Sequence, residues 1–283
     1  MNIVRFKTNT GTSALGIAEG DAIISLEEVC SSFRKLFQLM TDDATVIQKA
    51  LHKGARYSQN TVEIMAPLDQ TSTIFAVAAN YAQHAAEMGV TLPEQPLIFN
   101  KLTHSMIGPA AEIILPAYSK QVDYEGELAV VIGRGGFAIP QGEAMAYVGG
   151  YTCFNDITAR DRQWTVLGNN KIIDWFSSKM MEGSTPLGPW VVLCDDIPDP
   201  HDLRLQTRLN GRTVQDERTS RMVFQIPALI EYISSRVSLQ PGDIIATGTP
   251  FGVGGYAKQI ILAPGDTVEV EIEKIGTLTN KCR

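Results

Sequence analysis

The 283-residue sequence lacks the long apolar runs that would mark a membrane protein. It contains no stretch of 18 or more apolar residues, so it predicts no transmembrane helix. The first residues, MNIVRFKTNT, do not combine an apolar core with a small-residue cleavage site, as a secretory signal would. Neither a membrane partner nor secretion is therefore expected.

Positive charge and cysteine motifs are scarce as well. The chain has 24 Lys and Arg against 31 Asp and Glu, a net charge of -7, whereas nucleic-acid-binding domains are usually basic. A nucleic-acid partner is therefore not expected. Cys30, Cys153, Cys194 and Cys282 are scattered without C-x-x-C spacing. This favours reduced thiols in a cytoplasmic protein over a disulfide framework or a zinc site.

The composition that remains is that of a globular protein, with 44% hydrophobic and 19% charged residues. Short strands are predicted in MNIVRF and SALGIAEGDAII, and the apolar spacing within residues 22–54 predicts one or two helices. The segment 65–73 has the Pro and polar residues of a linker. Strand-like stretches such as ELAVVIG, GPWVVLC and DTVEVEIEKIG dominate after it.

The larger part of the chain contains few helical stretches, which are residues 82–88, 141–147 and 223–236. We therefore predict an α+β fold that is mostly β. A small N-terminal α+β domain covers residues 1–65, and a β-rich domain covers residues 66–283.

The stretch VDYEGELAVV places Asp123, Glu125 and Glu127 at every second position before an apolar run. A β-strand alternates its faces, so the three carboxylates are predicted on one face, about 7 Å apart at successive steps. A solvated edge strand is the alternative, but the apolar run indicates a strand that enters the core. Buried acids must be paired or bind a cation, and carboxylate oxygens suit Mg²⁺ or Mn²⁺.

A third candidate ligand is Asp156 in GGYTCFNDITARDRQW, at the end of a strand-like segment. Asp is also a favoured N-cap, so capping of a following helical turn is an equally open interpretation. Arg160 and Gln163 follow it, and their side chains are donors of the kind that bind a substrate carboxylate or carbonyl.

The segment NYAQHAAEMG contains His84 and Glu87, which share a face if the segment is helical. A carboxylate orients a neighbouring imidazole and raises its basicity, which suits a general base. A surface histidine beside a solvated glutamate has the same spacing and stays open. His52 and His201 are predicted at the surface, and His104 has no assigned role.

Taken together, the motifs are more specific than any one of them. They occur in the order NYAQHAAE, FNK, VDYEGELAVVIG, YVGGYTCFNDITARDRQ, STPLGPWVV, LNG, PGDIIATGTPFGVG and PGDTVEVEIEKIGTL. This series closely resembles the fumarylacetoacetate hydrolase family, in the branch with a short N-terminal region. The resemblance covers about residues 65–280 and is loose before them. It implies a mixed β-roll or sandwich-like barrel and a homodimer.

The resemblance also implies a set of metal ligands. They are the two glutamates of the Y-E-x-E-L motif, Glu125 and Glu127, and the aspartate of the N-D-x-[ST]-A-R-D motif, Asp156. Asp123 is then a neighbour and not a ligand. Mg²⁺ and Mn²⁺ fit this site equally, and either cation would neutralise the acidic face.

The remaining site residues are implied in the same way. His84 and Glu87 match the pair that activates water. Arg160 and Gln163 match residues that contact substrate oxygens, and Thr249 matches a residue at the substrate's carboxylate end.

The active-site lysine has two candidates. Lys179 in SKMMEGSTPLGP is the better match, and Lys171 in NNKIIDW competes with it because this loop varies in length. Glu182 stands where the family has Asp.

These residues predict a metal-dependent hydrolase that cleaves a carbon–carbon bond in a 2,4-diketo acid of the acylpyruvate type. The metal would stabilise the enolate, and His84 would take a proton from water. The same enolate chemistry without water attack gives decarboxylation or keto–enol isomerisation. An oxaloacetate decarboxylase, a hydratase or a tautomerase is therefore the alternative. The complete set of residues disfavours a non-catalytic binding protein, and DWFSSK is similar to members that degrade aromatic or sugar acids.

Overall fold

The N-terminal part of the chain combines strands with two short helices. The computed structural model describes residues 1–43, 45–258 and 260–283. Its first elements are β1 (Asn2–Lys7), β2 (Ser13–Glu19), β3 (Ala22–Ser25), α1 (Phe33–Asp42), α2 (Val46–Lys53), β4 (Arg56–Ser58) and β5 (Glu63–Met65). Ser32 caps the N-terminus of α1, since its side chain accepts a hydrogen bond from the Lys35 backbone N–H.

The middle of the chain is rich in strands. Its elements are β6 (Ile74–Ala78), α3 (Ala82–Glu87), β7 (Leu97–Lys101), β8 (Met106–Ile107), β9 (Glu112–Ile113), β10 (Val122–Asp123), β11 (Gly126–Ile132), β12 (Val148–Asn155) and β13 (Thr158–Ala159). A 3₁₀ helix, Gln141–Tyr147, precedes β12. Both helical predictions for this part of the chain are thus found as helical turns.

The last part begins with a hairpin that the sequence reading missed. Its elements are β14 (Trp164–Leu167), β15 (Asn170–Ile173), α4 (Trp175–Lys179), β16 (Thr185–Leu193), β17 (Arg204–Leu209), β18 (Arg212–Arg218), α5 (Ile226–Ser234), β19 (Ile244–Ala246), β20 (Thr267–Ile272) and β21 (Gly276–Cys282). The prediction over residues 223–236 corresponds to α5. The helix α4 has only five residues, too few to show a periodicity.

One large mixed sheet organises the fold. Among the described residues, twelve strands form it, in the order β4-β3-β2-β1-β16-β12-β11-β19-β6-β7, with β5 on β1 and β8 on β16. A second sheet has the order β18-β17-β20-β21-β9. The predicted α+β, mostly β fold is confirmed. Because β1 pairs with β16, the N-terminal strands extend the same sheet as the larger part, and the division at residue 65 stays a prediction.

The centre of the large sheet is buried on both faces. All seven residues of β11 and all eight of β12 are buried, and one apolar cluster on this sheet joins Ile3 of β1 to Ala129 of β11. Such burial explains why the segment LAVVI is apolar at every position rather than at alternate ones. Within the described residues, no helix is long and apolar enough to span a membrane.

Candidate active site

Three buried carboxylates meet where β11 and β12 lie side by side. Glu125, Glu127 and Asp156 each offer a ligand oxygen, and these atoms lie within 4.8 Å of one another. The antiparallel register pairs Gly126 with Asn155, which brings the residues flanking this pair together. The Asp156 backbone N–H donates to the Glu125 carbonyl oxygen at 2.9 Å, so the backbone holds the two acids in place.

The predicted continuous strand through the acids is wrong in one respect. The chain leaves strand geometry between Asp123 and Gly126, because β10 pairs with β13 whereas β11 pairs with β12 and β19. Asp123 is fully buried but bonds to Arg160 instead of facing the triad. Asp123, Glu125 and Glu127 therefore do not share one face of a single strand.

Three cations pair with these acids. Lys179 Nζ lies 2.7 Å from both Glu125 Oε2 and Asp156 Oδ2. Lys101 Nζ lies 2.7 Å from Asp156 Oδ1. The Arg160 guanidinium bonds to Asp123 through Nε and to Glu125 through a terminal nitrogen. The Asp156 side chain thus accepts bonds from two lysines, and the capping interpretation of this residue does not describe its contacts.

Burial and charge act on these groups in opposite directions. Burial alone would raise the pKa of Glu125, but Lys179 and Arg160 outweigh it and hold that pKa below its usual range. The pKa of Glu127 is raised well above its usual range by burial and by the Asp156 and Glu125 charges. Within the described residues, Glu127 is the member of the triad that forms no direct ion pair.

The formal charges show what the site can hold. Four buried carboxylates are in or beside the triad: Asp123, Glu125, Glu127 and Asp156. Three cations pair with them: Lys101, Arg160 and Lys179. The net formal charge of these seven groups is -1, and a divalent cation among the triad oxygens would change it to +1. The cation would also offset the negative charges that raise the pKa of Glu127. The donor set consists of hard oxygens, which Mg²⁺ and Mn²⁺ prefer, so the triad is capable of binding such a metal.

The predicted His–Glu pair is formed on α3. His84 Nδ1 lies 3.1 Å from Glu87 Oε2, and both side chains are buried. The same Glu87 oxygen accepts a hydrogen bond from the Gly252 backbone N–H at 3.3 Å. The surface interpretation of this pair is thereby excluded. Because Glu87 holds Nδ1, the ring presents Nε2 to other groups.

Gln163 and Thr249 lie at the edge of the charged cluster. Gln163 Oε1 accepts a hydrogen bond from the Tyr256 hydroxyl at 2.8 Å, and the Tyr256 ring centroid lies 5.1 Å from the Arg160 guanidinium carbon. The Thr249 hydroxyl donates to the Gly126 carbonyl at 2.9 Å. A Cβ atom at Gly255 would overlap the Arg160 side chain, so the π-helix Gly254–Lys258 approaches Arg160 as closely as only glycine permits.

Several other candidates lie outside the cluster. Lys171 is exposed on the hairpin, with its Nζ 4.9 Å from the Trp164 ring centroid, whereas Lys179 is buried among the acids. His52, His104 and Glu182 are also exposed.

Sequence reasoning missed two residues of the cluster, Lys101 and Tyr256. Lys101 is the lysine of the quoted FNK motif, and it follows Phe99 by two positions on β7. Two-residue alternation places these side chains on the same buried face, so a buried lysine could have been predicted. No comparable signal marks Tyr256, which reaches the site from a short π-helix, Gly254–Lys258.

A cavity of about 140 Å³ opens onto these groups. Its charged and polar lining includes His84, Thr91, Glu125, Asp156, Arg160, Gln163, Lys179 and Thr249. The volume suits a small organic acid rather than a drug-sized ligand. The structure therefore brings the predicted site residues together around one small cavity, with Glu127 and Glu87 directly behind it.

Comparisons with known proteins agree with this picture. Residues 73–283 match the family model described as Fumarylacetoacetate (FAA) hydrolase C-terminal. The mitochondrial oxaloacetate tautomerase Fahd2a of Rattus norvegicus is 43% identical over 224 residues, which cover 79% of this chain and 70% of the relative.

Two solved structures extend the likeness to the whole chain. The 5-carboxymethyl-2-hydroxymuconate delta-isomerase of Mycobacterium smegmatis is 36% identical with a TM-score of 0.78, covering 100% of this chain and 98% of that one. Maleylpyruvate hydrolase of Sphingobium sp. SYK-6, in complex with manganese(II) and pyruvate, is 28% identical with a TM-score of 0.83 at the same coverage. The chain belongs to the fumarylacetoacetate hydrolase family.

Proposed function

We propose that this protein is a divalent-metal-dependent tautomerase that interconverts the enol and keto forms of small 2-oxo acids. The observation that carries the proposal is that His84, held by Glu87, lines the same small cavity as Glu125, Asp156 and Lys179. Tautomerisation needs one proton carrier beside a group that stabilises the enolate oxygen. The rat relative, named an oxaloacetate tautomerase, supports the same assignment.

The metal is proposed to bind Glu125, Glu127 and Asp156, with Mg²⁺ and Mn²⁺ as the candidates. When bound, it would supply Lewis-acid stabilisation of negative charge on substrate oxygens. The manganese(II) and pyruvate in the complex of maleylpyruvate hydrolase support this assignment.

The chain's own residues would bind the acid and move its proton. Arg160, Gln163 and Lys179 are proposed to bind the substrate's oxygens, since all three side chains line the cavity and carry N–H donors. Thr249 is proposed beside the substrate's carboxylate, where it lines the cavity. His84 Nε2 would exchange a proton with the carbon next to the carbonyl, while Glu87 keeps the ring oriented.

A carbon–carbon bond hydrolase of the acylpyruvate type is the second candidate. Glu87 Oε1 is buried and has no hydrogen-bond partner among the described residues, so it could accept a hydrogen bond from an attacking water. The maleylpyruvate hydrolase structure also favours this candidate. Decarboxylation of oxaloacetate uses the same enolate chemistry, and the experiment that tests the hydrolase also tests the decarboxylase.

The test follows carbon skeletons by NMR. Enol oxaloacetate, acetylpyruvate and fumarylpyruvate are incubated with the protein and Mn²⁺, Mg²⁺ or EDTA. We expect metal-dependent formation of keto oxaloacetate with its carbons intact, slowed on the order of 100-fold or more in His84→Ala. The exposed His104→Ala is the matched control and should leave the rate unchanged. Two acids from an acylpyruvate, or carbon dioxide from oxaloacetate, would replace the tautomerase with the hydrolase or the decarboxylase.

Two further expectations stay predictions. The family resemblance is the support for a homodimer, which light scattering during gel filtration would test. The rat relative is named as a mitochondrial protein and gives no support to the expected cytoplasmic location, which stays a prediction.

A further inference from the structure

The cavity has two chemically different regions. The first, the charged floor, is formed by the lining residues His84, Glu125, Asp156, Arg160, Gln163, Lys179 and Thr249. The second, the apolar wall, includes Met88, Val90, Phe99, Trp164, Ile173 and Trp175. The 2-oxo acid group of a substrate requires the floor, so the wall is left for the substituent on C3.

The wall begins directly beside the floor and is held in place. The Phe99 and Trp175 rings stack with their centroids 4.3 Å apart and an interplanar angle of 3°. Lys179 Nζ, a floor atom, lies 5.6 Å from the Phe99 ring centroid. Asp174 caps α4 by accepting a hydrogen bond from the Ser177 backbone N–H, which fixes the helix that carries Trp175. The stack is a flat surface present before any ligand binds.

The cationic groups of the cavity are already engaged on the floor. Lys179 bonds to Glu125, Asp156 and Thr158, and the Arg160 guanidinium bonds to Asp123, Glu125 and Gln163. Within the described part of the lining, the wall carries no cationic side chain, since Lys171, whose Nζ lies 4.9 Å from the Trp164 ring centroid, is exposed on the hairpin and does not line the cavity. A second substrate carboxylate against this wall would lose its hydration without gaining a charged partner, which is costly.

The net charge of the site leads to the same conclusion. Glu87, buried behind the cavity, adds a fifth carboxylate to the four of the cluster. With His84 neutral and a divalent cation bound, the five carboxylates and three cations would carry no net charge, so no positive charge is left to compensate a second substrate carboxylate.

We propose that the site prefers 2-oxo acids with a single carboxylate and an apolar or aromatic substituent on C3, the class of the arylpyruvates. The inference rests on the proposed tautomerase function and specifies its substrate class. In the reaction, the enol O–H bond breaks and a C3–H bond forms, so one proton leaves oxygen as another reaches carbon. No co-reactant is needed. The flat, conjugated enol of such an acid fits beside the Phe99–Trp175 stack.

The test compares the enol forms of phenylpyruvate and oxaloacetate on the Mn²⁺-loaded protein. Ultraviolet absorbance gives kcat/KM for each enol, and calorimetric titration with the two keto acids gives their dissociation constants. We expect the kcat/KM for phenylpyruvate to exceed that for oxaloacetate by about tenfold or more, and we expect phenylpyruvate to bind more tightly.

Variants of α4 separate the wall from general stability. Trp175→Ala should lower kcat/KM for phenylpyruvate about tenfold more than for oxaloacetate. Trp175→Arg keeps a planar group over Phe99 and adds a positive charge, so it should shift the preference toward oxaloacetate. This shift is a gain that misfolding cannot imitate. Phe176 is 72% exposed and does not line the cavity, so Phe176→Ala is the matched control and should keep the wild-type preference.

Different results overturn the two proposals. A wild-type preference for oxaloacetate, or a Trp175→Ala loss equal for both acids, contradicts the substrate class and leaves the tautomerase intact. If neither enol is converted, the tautomerase fails. The calorimetric comparison then still decides the preference for an apolar substituent.

Discussion

Two stretches of this chain carry the same alternating acids and use them in opposite ways. Asp123, Glu125 and Glu127 occupy alternate positions, and so do Glu269, Glu271 and Glu273. The first set is buried throughout. In the second, Glu269 and Glu271 are half-buried on the outer face of β20, within 2.6–3.1 Å of the nitrogens of Arg208.

The residues between and after the acids account for the difference. Along β20 the acids alternate with buried Val268, Val270 and Ile272, the pattern of a strand with one solvated face. After Glu127, apolar residues occupy both faces of β11. An alternating acid pattern therefore indicates a site for chemistry only where the strand continues into a doubly buried run.

The largest contrast is expected from removing one charge in each set. Glu127→Gln should lower metal-dependent enol conversion more than about 100-fold, because a metal ligand contributes at least as much as its supporting groups. Glu271→Gln should change the rate less than about twofold, since its ion pair lies at the surface. The initial rate of enol conversion at saturating Mn²⁺ measures both effects. Similar losses in the two variants would contradict the claim that only the buried acids serve the chemistry.

A second contrast concerns folding stability without metal. Lys101→Met removes one cation from the buried cluster and should lower the free energy of unfolding by about 3 kcal/mol, because Asp156 then keeps only Lys179 as a buried partner and the cluster gains an uncompensated negative charge. Arg208→Met on the outer sheet should cost less than about 1 kcal/mol. Urea unfolding in EDTA measures both values, and a Lys101→Met cost no larger than that of Arg208→Met would contradict the account.

A third contrast concerns single hydrogen bonds. Tyr256→Phe removes the bond to Gln163 at the site and should lower kcat/KM about fivefold, in line with the loss of roughly 1 kcal/mol. Gln206→Ala removes an exposed bond to Asp216 and should leave kcat/KM unchanged. Equal values of kcat/KM for Tyr256→Phe and the wild type would show that Tyr256 does not position Gln163.

The smallest effect concerns pH at the outer sheet. Hydrogen bonds from Arg204 lower the pKa of Asp216. A lowered carboxyl pKa adds stability above the pKa of the unfolded chain, about 3.9, and this stability is lost as the pH falls through the folded pKa. Arg204→Met should raise the pKa of Asp216 and reduce stability near neutral pH more than in acid. Carbon-13 NMR titration of Asp216 checks the shift, and an unchanged titration midpoint would exclude the Arg204 contribution.

Much of the site was predictable because its motifs are local. The His84–Glu87 spacing specifies a shared helical face, and the acids next to a buried run indicate a cation. The break of the strand before Gly126 was not predictable, because it depends on β10 finding a different partner from β11. Tyr256 and the apolar wall were missed for the same reason. Trp164, Ile173 and Trp175 of the wall reach the cavity from the hairpin and α4, and Tyr256 contacts Gln163 from the π-helix Gly254–Lys258. The positions of these segments are fixed by contacts distant in sequence.

The most direct test of the account is a Mn²⁺ titration of the purified protein, followed by electron paramagnetic resonance of the free ion. The charge balance of the buried cluster predicts one tightly bound ion per chain. That binding should be lost in Glu125→Ala and retained in Glu269→Ala. An absence of tight binding in the wild type, or tight binding that survives Glu125→Ala, would contradict the claim that the buried acids form a metal site.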